Sequence, residues 1–274
     1  MVFANCRPVV FADGTEGLFA CPLDEYFWQQ HLTNVAIRIA EISKVDLISV
    51  IDGIFLDMEM YRTEALAANK KNYSPTTCFC DDCFSHFIQT RPEWKNLPAV
   101  RKDRRESWLS QNGLLEDYLA YQTGRVEVKA RELKELVHAI NPKMLFGVYP
   151  AITKTNWVQK ALMRALGSES YPVISFSTDT YGYPSCWGAS KIPSDIPQYF
   201  KEYDINGIYV AGYMFRKYTS SEIRTNIIQS RQRCQGYWLY KMPQLFESVI
   251  PAGEELGGGT QADYLQAIKN ANAW

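Results

Sequence analysis

Two groups of side chains in this sequence have the types and spacing to do chemistry. The first is a pair of carboxylates, Asp57 and Glu59, at the end of Asp52-Gly53-Ile54-Phe55-Leu56-Asp57-Met58-Glu59-Met60-Tyr61. The segment reads as a strand, and strand side chains alternate faces, so both carboxylates project from one side. Glycoside hydrolysis uses two carboxyl groups, one held protonated and one ionised. Asp57 and Glu59 are too close to flank a bond alone unless the substrate assists. The expected assignment makes Glu59 the general acid/base and Asp57 the group that orients or attacks. Asp179, in Ser175-Phe176-Ser177-Thr178-Asp179-Thr180-Tyr181, is the expected partner, with Glu247 a weaker alternative. Structural roles compete: an ion pair of Glu59 with an arginine such as Arg62, a turn or cap at Asp179, a purely orienting Asp57.

The second group is Cys78-Phe79-Cys80-Asp81-Asp82-Cys83. Three thiols at this spacing can converge on one metal ion from a tight turn, and a closed tetrahedral zinc site needs a fourth ligand. Cys21, in Phe19-Ala20-Cys21-Pro22, is the candidate, with His86 and Asp82 as alternatives. With all four positions filled by protein, the zinc would be structural, stapling two loops. The competing readings are unligated thiols, or a disulfide with one cysteine left over. Cys6, Cys186 and Cys234 read as isolated thiols.

The elements that must position these groups alternate. Strands are expected over Ile51–Met60, Met144–Tyr149, Val173–Ser177, Gly207–Ala211 and Tyr237–Tyr240. Helices are expected over Asp24–Ser43, Leu114–Ile140, Asn156–Leu166, Asp195–Tyr203, Ser221–Arg233 and Gln261–Ala271. In the short helix from Asp195, Ser194 is the expected N-cap and Pro197 falls in the first turn, where its missing N–H costs little. Such alternation points to a parallel sheet wrapped by helices. The expected fold is an α/β (β/α)8 TIM-type barrel forming a single domain over 1–274, incomplete at its N-terminus. Five strands are clear, a sixth is suggested near Pro8–Phe11, and a closed barrel needs eight. Tyr61, Tyr149, Tyr181, Trp187, Tyr213 and Trp238 fall at or just past strand ends, where they would stack on sugar or donate to its hydroxyls.

Composition narrows the classes. A net charge of −1 offers no electrostatic footprint for nucleic acid. No apolar run approaches the roughly 20 residues that span a bilayer. The N-terminus lacks the plan of a signal peptide, which leaves the compartment open and tilts the expectation to the cytoplasm. Aromatic content is 14%, including 17 Tyr and 7 Trp, enough for a sugar platform and equally usable as core.

Cys21-Pro22 before a long helix, a strand ending at Glu59, and then Cys78-x-Cys80-x2-Cys83 resemble the zinc-containing β-galactosidases of glycoside hydrolase family 42 and related barrel glycosidases. The resemblance covers about residues 13–87. It implies a (β/α)8 barrel, an acid/base at Glu59 after the fourth strand, and zinc on Cys21, Cys78, Cys80 and Cys83. It also implies a chain that starts near the third strand. Met58 stands where that family has asparagine, and the strand matching the family's nucleophile, Gly207–Phe215, carries no carboxylate. A shorter stretch, Asp52-Gly53-Ile54-x-x-Asp57-x-Glu59, is similar to the chitinase-type signature of glycoside hydrolase family 18. The expected function is therefore hydrolysis of an oligo- or polysaccharide. The alternative is an inactive barrel that binds carbohydrate or serves assembly, its open sheet edges covered by a partner or a second copy in a homo-oligomer.

Overall fold

The computed structural model describes residues 5–45, 51–58, 77–94, 97–149 and 156–273. Glu59, Tyr61 and Arg62 lie outside the described residues. The chain divides into two compact units. Among the described residues, the first takes 5–45, 51–54, 58, 77–94, 97–146 and 156–166; the second takes 55–57, 147–149 and 167–273.

The first unit opens with an antiparallel pair, β1 (Pro8–Val10) and β2 (Glu16–Ala20). A π-helical turn, Phe27–Thr33, leads into α1 (Asn34–Val45). The Asp24 carboxylate starts this run by accepting from the Phe27 N–H at 2.7 Å. Then come α2 (Asp81–Gln89), α3 (Arg105–Gln111), α4 (Leu115–Ile140) and α5 (Trp157–Leu166). Tyr118, Gln122, Val126, Ala130, Leu133 and Val137 recur every three or four residues along α4 and are all buried. That stripe is why this segment is a helix with one inward face, and α4 packs against α1 and α5.

The second unit holds most of a five-stranded sheet, including Phe55–Asp57 of its first strand and 147–149 of its second; the order is β3 (Gly53–Asp57), β4 (Leu145–Tyr149), β5 (Val173–Phe176), β8 (Gly207–Met214), β9 (Gly236–Tyr240). A small antiparallel pair, β6 (Tyr181–Tyr183) and β7 (Cys186–Trp187), follows β5. The helices are α6 (Ile196–Glu202), α7 (Ser220–Arg233) and α8 (Gln261–Asn272). A full capping box starts α7: Thr219 accepts from the Glu222 N–H, and Glu222 accepts from that of Thr219.

The register defines two faces. Gly147 pairs with Ile174, Phe176 with Val210, and Gly212 with Trp238. Paired residues share a face, so Tyr149, Phe176, Gly212, Trp238 and Tyr240 lie on one side. Val148, Ser175, Tyr209, Ala211 and Tyr213 lie on the other and are buried. In β3 the buried positions are Ile54 and Leu56, while Phe55 and Asp57 are exposed.

The expected (β/α)8 barrel is corrected by this topology. The five parallel strands form a curled, open half-barrel, and the remaining strands sit in two separate antiparallel pairs. Closure would require both end strands to find a hydrogen-bonded neighbour, and among the described residues β3 and β9 each pair on one side only. The strand suggested near Pro8–Phe11 exists, but its partner is β2, not a barrel strand. Nor is Ser194 the cap of α6: Asp195 holds the N-cap position, with no side-chain cap bond. Among the described residues no helix is long and apolar enough to cross a membrane.

Candidate functional site

The four-cysteine centre is assembled entirely within the first unit. Cys21 follows β2, and its N–H donates to the Arg7 carbonyl at 2.7 Å, fixing the sulfur beside β1. Cys78 and Cys80 flank Phe79, whose N–H donates to the Val10 carbonyl at 2.8 Å. Cys80 is the N-cap residue of α2, and Cys83 sits in its first turn. The four sulfurs lie within 4.8 Å of one another, with Cys21 and Cys83 at 3.4 Å and Cys21 and Cys80 at 3.8 Å. A disulfide needs about 2.05 Å, so these are four separate thiols. A tetrahedron of sulfurs at about 2.3 Å from a metal has edges of about 3.8 Å, which this set brackets. The four residues therefore form a buried cluster able to hold a metal ion, and Cys21 is its fourth member. Of the alternatives, His86 is exposed, and the Asp82 carboxylate pairs with the Arg7 guanidinium.

Sequence reading missed the groups that hold this centre in place. Tyr118 and Gln122, one turn apart on α4, grip the peptide of Cys78. The Tyr118 hydroxyl and the Gln122 amide both donate to its carbonyl at 2.7 Å, and the Gln122 carbonyl accepts from its N–H at 3.2 Å. The Gln122 carbonyl also accepts from the Thr77 hydroxyl. Arg105 donates to the Phe79 carbonyl at 2.7 Å and to Asp81 at 2.5 Å, bracing the loop from its other end. The signal was Gln122 at a core position of a helical stripe whose other members, Lys129 apart, are apolar, since buried amides have partners.

The electrostatics of the cluster favour a cation. Hydrogen bonds from the Cys21, Cys78 and Cys83 thiols hold Cys80 on the ionised side, while burial pushes the Cys78 thiol up. Backbone N–H groups of Val10 and Leu23 point at the Cys78 and Cys21 sulfurs, each at 3.4 Å. The Arg7 guanidinium donates to the Cys21 sulfur at 3.8 Å. Four thiolates around a divalent ion carry two net negative charges, and Arg7 offsets part of that. Outer-sphere groups of this kind contribute about 10–100-fold to metal affinity. Arg7→Gln is expected to speed metal release to a chromogenic chelator by about tenfold with the secondary structure unchanged. Equal release rates would remove Arg7 from this role.

The sugar-site candidates of the sequence fall in the second unit, apart from Glu59 and Tyr61. Phe55 stacks on Tyr149 at 5.6 Å and meets Phe176 edge-on at 4.7 Å, which places it on the ring-bearing face. Asp57, two residues on in the same strand, is exposed on that face. Trp238 is the hub: its ring lies 5.4 Å from Tyr149, 5.2 Å from Tyr181 and 5.8 Å from Phe176. Its indole N–H donates to the Ser177 carbonyl at 3.0 Å, which fixes the ring plane. Phe55 and Tyr240 keep 45% and 41% of their surface exposed, so the platform is reachable.

Four candidates lie outside the Trp238 group. Asp179 follows β5 as expected, but its carboxylate accepts from the Ser177 hydroxyl and from the Tyr209 hydroxyl, both at 3.1 Å. Tyr209 is a buried residue of the opposite face, so this carboxylate is tied to the packed side of the sheet. Burial and the Asp179 charge push the Tyr209 phenol up, which keeps it a donor. Tyr213, expected at a sugar mouth, is fully buried, with its hydroxyl 2.5 Å from that of Ser230. Trp187 is exposed, but the ring it touches is Tyr218, at 4.9 Å, not the Trp238 group. Glu247 is exposed in the segment after β9, and its carbonyl accepts from the Gln261 amide at 2.9 Å.

No protein-family model, no curated protein and no solved structure matches this chain.

Proposed function

We propose that this protein acts on carbohydrate as a glycoside hydrolase, with the ring-bearing face of the second unit's sheet as its sugar platform. The carrying observation is Asp57, an exposed carboxylate on the same strand face as Phe55, whose ring leads into the Tyr149–Trp238–Tyr181 group. Aromatic planes stack on the apolar faces of sugar rings, and a carboxylate at their margin is placed to orient or attack an anomeric carbon. Glu59, two residues on in sequence, is the proposed acid/base. We further propose that zinc occupies the four-cysteine centre, since four thiolates in a closed set favour a tetrahedral thiophilic ion. Its role would be structural.

A screen of chromogenic aryl glycosides tests the activity. The expected result is turnover of at least one glycoside, with Asp57→Asn and Glu59→Gln each lowering kcat by about 10²–10⁴-fold. Equal activity in wild type and both variants would overturn the assignment. A second reading, a sugar-binding protein without turnover, is favoured by one observation: the carboxylate of Asp179, the expected partner, is already engaged by the Ser177 and Tyr209 hydroxyls. Saturable glycan binding without hydrolysis would select it; absence of both binding and hydrolysis would overturn both readings.

A further inference from the structure

A cavity in the second unit has the chemistry of a binding site for a single neutral sugar ring. It measures about 280 Å³, and one wall is the face of α7 that carries Glu222, Thr225, Asn226 and Gln229. These residues stand at i, i+3, i+4 and i+7, so their side chains project together. The facing wall is Trp187 and the turn that follows it. Trp187 is 42% exposed, and its ring is backed by Tyr218. The Tyr218 hydroxyl is itself fixed, accepting from the Gly188 N–H and donating to the Thr180 carbonyl, both at 2.7 Å. The aromatic plate is thus presented on a rigid support.

Asn226 is the decisive residue. It is 8% exposed and lines the cavity. Its amide oxygen accepts from the Ala189 N–H at 2.8 Å, which fixes the orientation of the group. Its amide nitrogen has no partner among the described residues, and it is not one of the side-chain atoms sealed from solvent without one. A buried amide whose acceptor is satisfied and whose donor retains access to a cavity is an unfilled hydrogen-bonding position. Gly188 lets the turn pass this close: its φ is +73°, and a Cβ there would lie 3.0 Å from the Asn226 amide oxygen.

We infer that this cavity binds one neutral pyranose unit, its apolar face on Trp187 and a hydroxyl accepting from the Asn226 amide. The lining carries no cation, which disfavours an anionic ligand. Its one carboxylate, Glu222, is already engaged by the Thr219 N–H and hydroxyl at 2.8 and 2.9 Å, which disfavours a cationic one. The Gln229 amide has no partner among the described residues and extends the same row of hydrogen-bonding groups. Drug-sized ligand pockets run from about 300 Å³ upward, so this one suits a single ring and not a chain. None of its residues belongs to the Trp238 group, so the inference stands apart from the proposed hydrolysis.

The experiment is an NMR titration of the full chain with the methyl β-glycosides of glucose, galactose and N-acetylglucosamine. The expected result is a saturable shift of the Trp187 indole N–H with a millimolar Kd for at least one of them. By ligand-observed titration, Trp187→Ala and Asn226→Asp should each weaken binding at least tenfold. Asn226→Asp keeps the acceptor and the shape while removing the donor. Gln229→Ala, at a position that holds no structural hydrogen bond, serves as a third variant and should weaken binding severalfold. The Trp238 indole N–H should not follow the Trp187 saturation curve, which separates the site from the sheet face. No Trp187 shift with any of the three glycosides, or wild-type affinity in both Asn226→Asp and Trp187→Ala, would overturn the inference.

Discussion

Stripping the metal from the four-cysteine centre is expected to unfold the core of the first unit. Cys21, Cys78, Cys80 and Cys83 are at most 2% exposed, and Val10, Phe11, Phe79, Phe84, Phe87, Leu109 and Tyr118 pack around them. With an ion bound, the centre ties the β1–β2 hairpin, the loop before α2 and the first turn of α2 to one point. Without it, four sulfurs compete for protons inside an apolar cluster, and a desolvated thiolate is left uncompensated. Structural zinc in small folds binds with about 10–16 kcal/mol of apparent free energy, which is largely folding free energy. This unit keeps an apolar cluster of its own, so the expected loss is smaller, on the order of 5 kcal/mol or more. At about 2–4 °C per kcal/mol, the melting midpoint should fall by about 10 °C or more. Cys80→Ser should do the same and reduce bound metal from one ion per chain to near zero. Because ligand thiols must be deprotonated, acid competes with the ion, and the stabilisation is lost as pH falls. Elemental analysis and paired melts check this; a metal-free protein that melts where the loaded protein does would overturn it. Finding iron in place of zinc would revise the identity of the ion and leave the site standing.

Trp238→Ala is expected to cost both stability and sugar affinity, because this indole is at once a core group and a platform. Its ring touches Phe55, Tyr149, Phe176, Tyr181 and Tyr240. Truncating a packed tryptophan to alanine typically costs about 3–5 kcal/mol; with Trp238 half-buried, the lower end applies. The opposite change at its neighbour tests the same packing. A Cβ on Gly212 would lie 2.5 Å from the indole and 2.5 Å from the Ser177 carbonyl, so only glycine lets the ring lie flat on β8. Gly212→Ala should therefore displace Trp238 and cost about 1–3 kcal/mol. Urea melts give the stabilities, and titration with a soluble oligosaccharide gives the affinities. Trp238→Phe should recover most of the stability and part of the affinity. Wild-type affinity in Trp238→Ala would remove the sheet face from sugar recognition.

The strands were legible because their signal is local. All five expected strands are in the sheet, at Gly53–Asp57, Leu145–Tyr149, Val173–Phe176, Gly207–Met214 and Gly236–Tyr240. An apolar run bounded by turn residues needs no knowledge of its neighbours. The long helix Leu115–Ile140 was legible for the same reason, its stripe persisting over about five turns. The helix Asp81–Gln89 went unread although Cys83, Phe84, Phe87 and Ile88 repeat at helical spacing. The cysteines drew attention to metal chemistry, and the first turn of a helix that supplies a ligand looks like a loop. Three members of the cysteine cluster followed from residue type and spacing, Cys78, Cys80 and Cys83; Cys21 was one candidate for the fourth place beside His86 and Asp82, and the fold brings its sulfur to the other three.

Tertiary structure decided everything that depends on which face a side chain meets. Nothing in Ser177-Thr178-Asp179 says that a tyrosine from β8 will claim the Asp179 carboxylate. Nothing near Trp187 says that Tyr218 will back its ring and α7 will complete a cavity in front of it. Sheet closure is also of this kind, since each strand is specified locally while a barrel depends on the number and stagger of all its neighbours. Periodicity is carried by residues adjacent in the chain; orientation, closure and pairing are carried by contacts between distant ones, and only the folded chain brings those together.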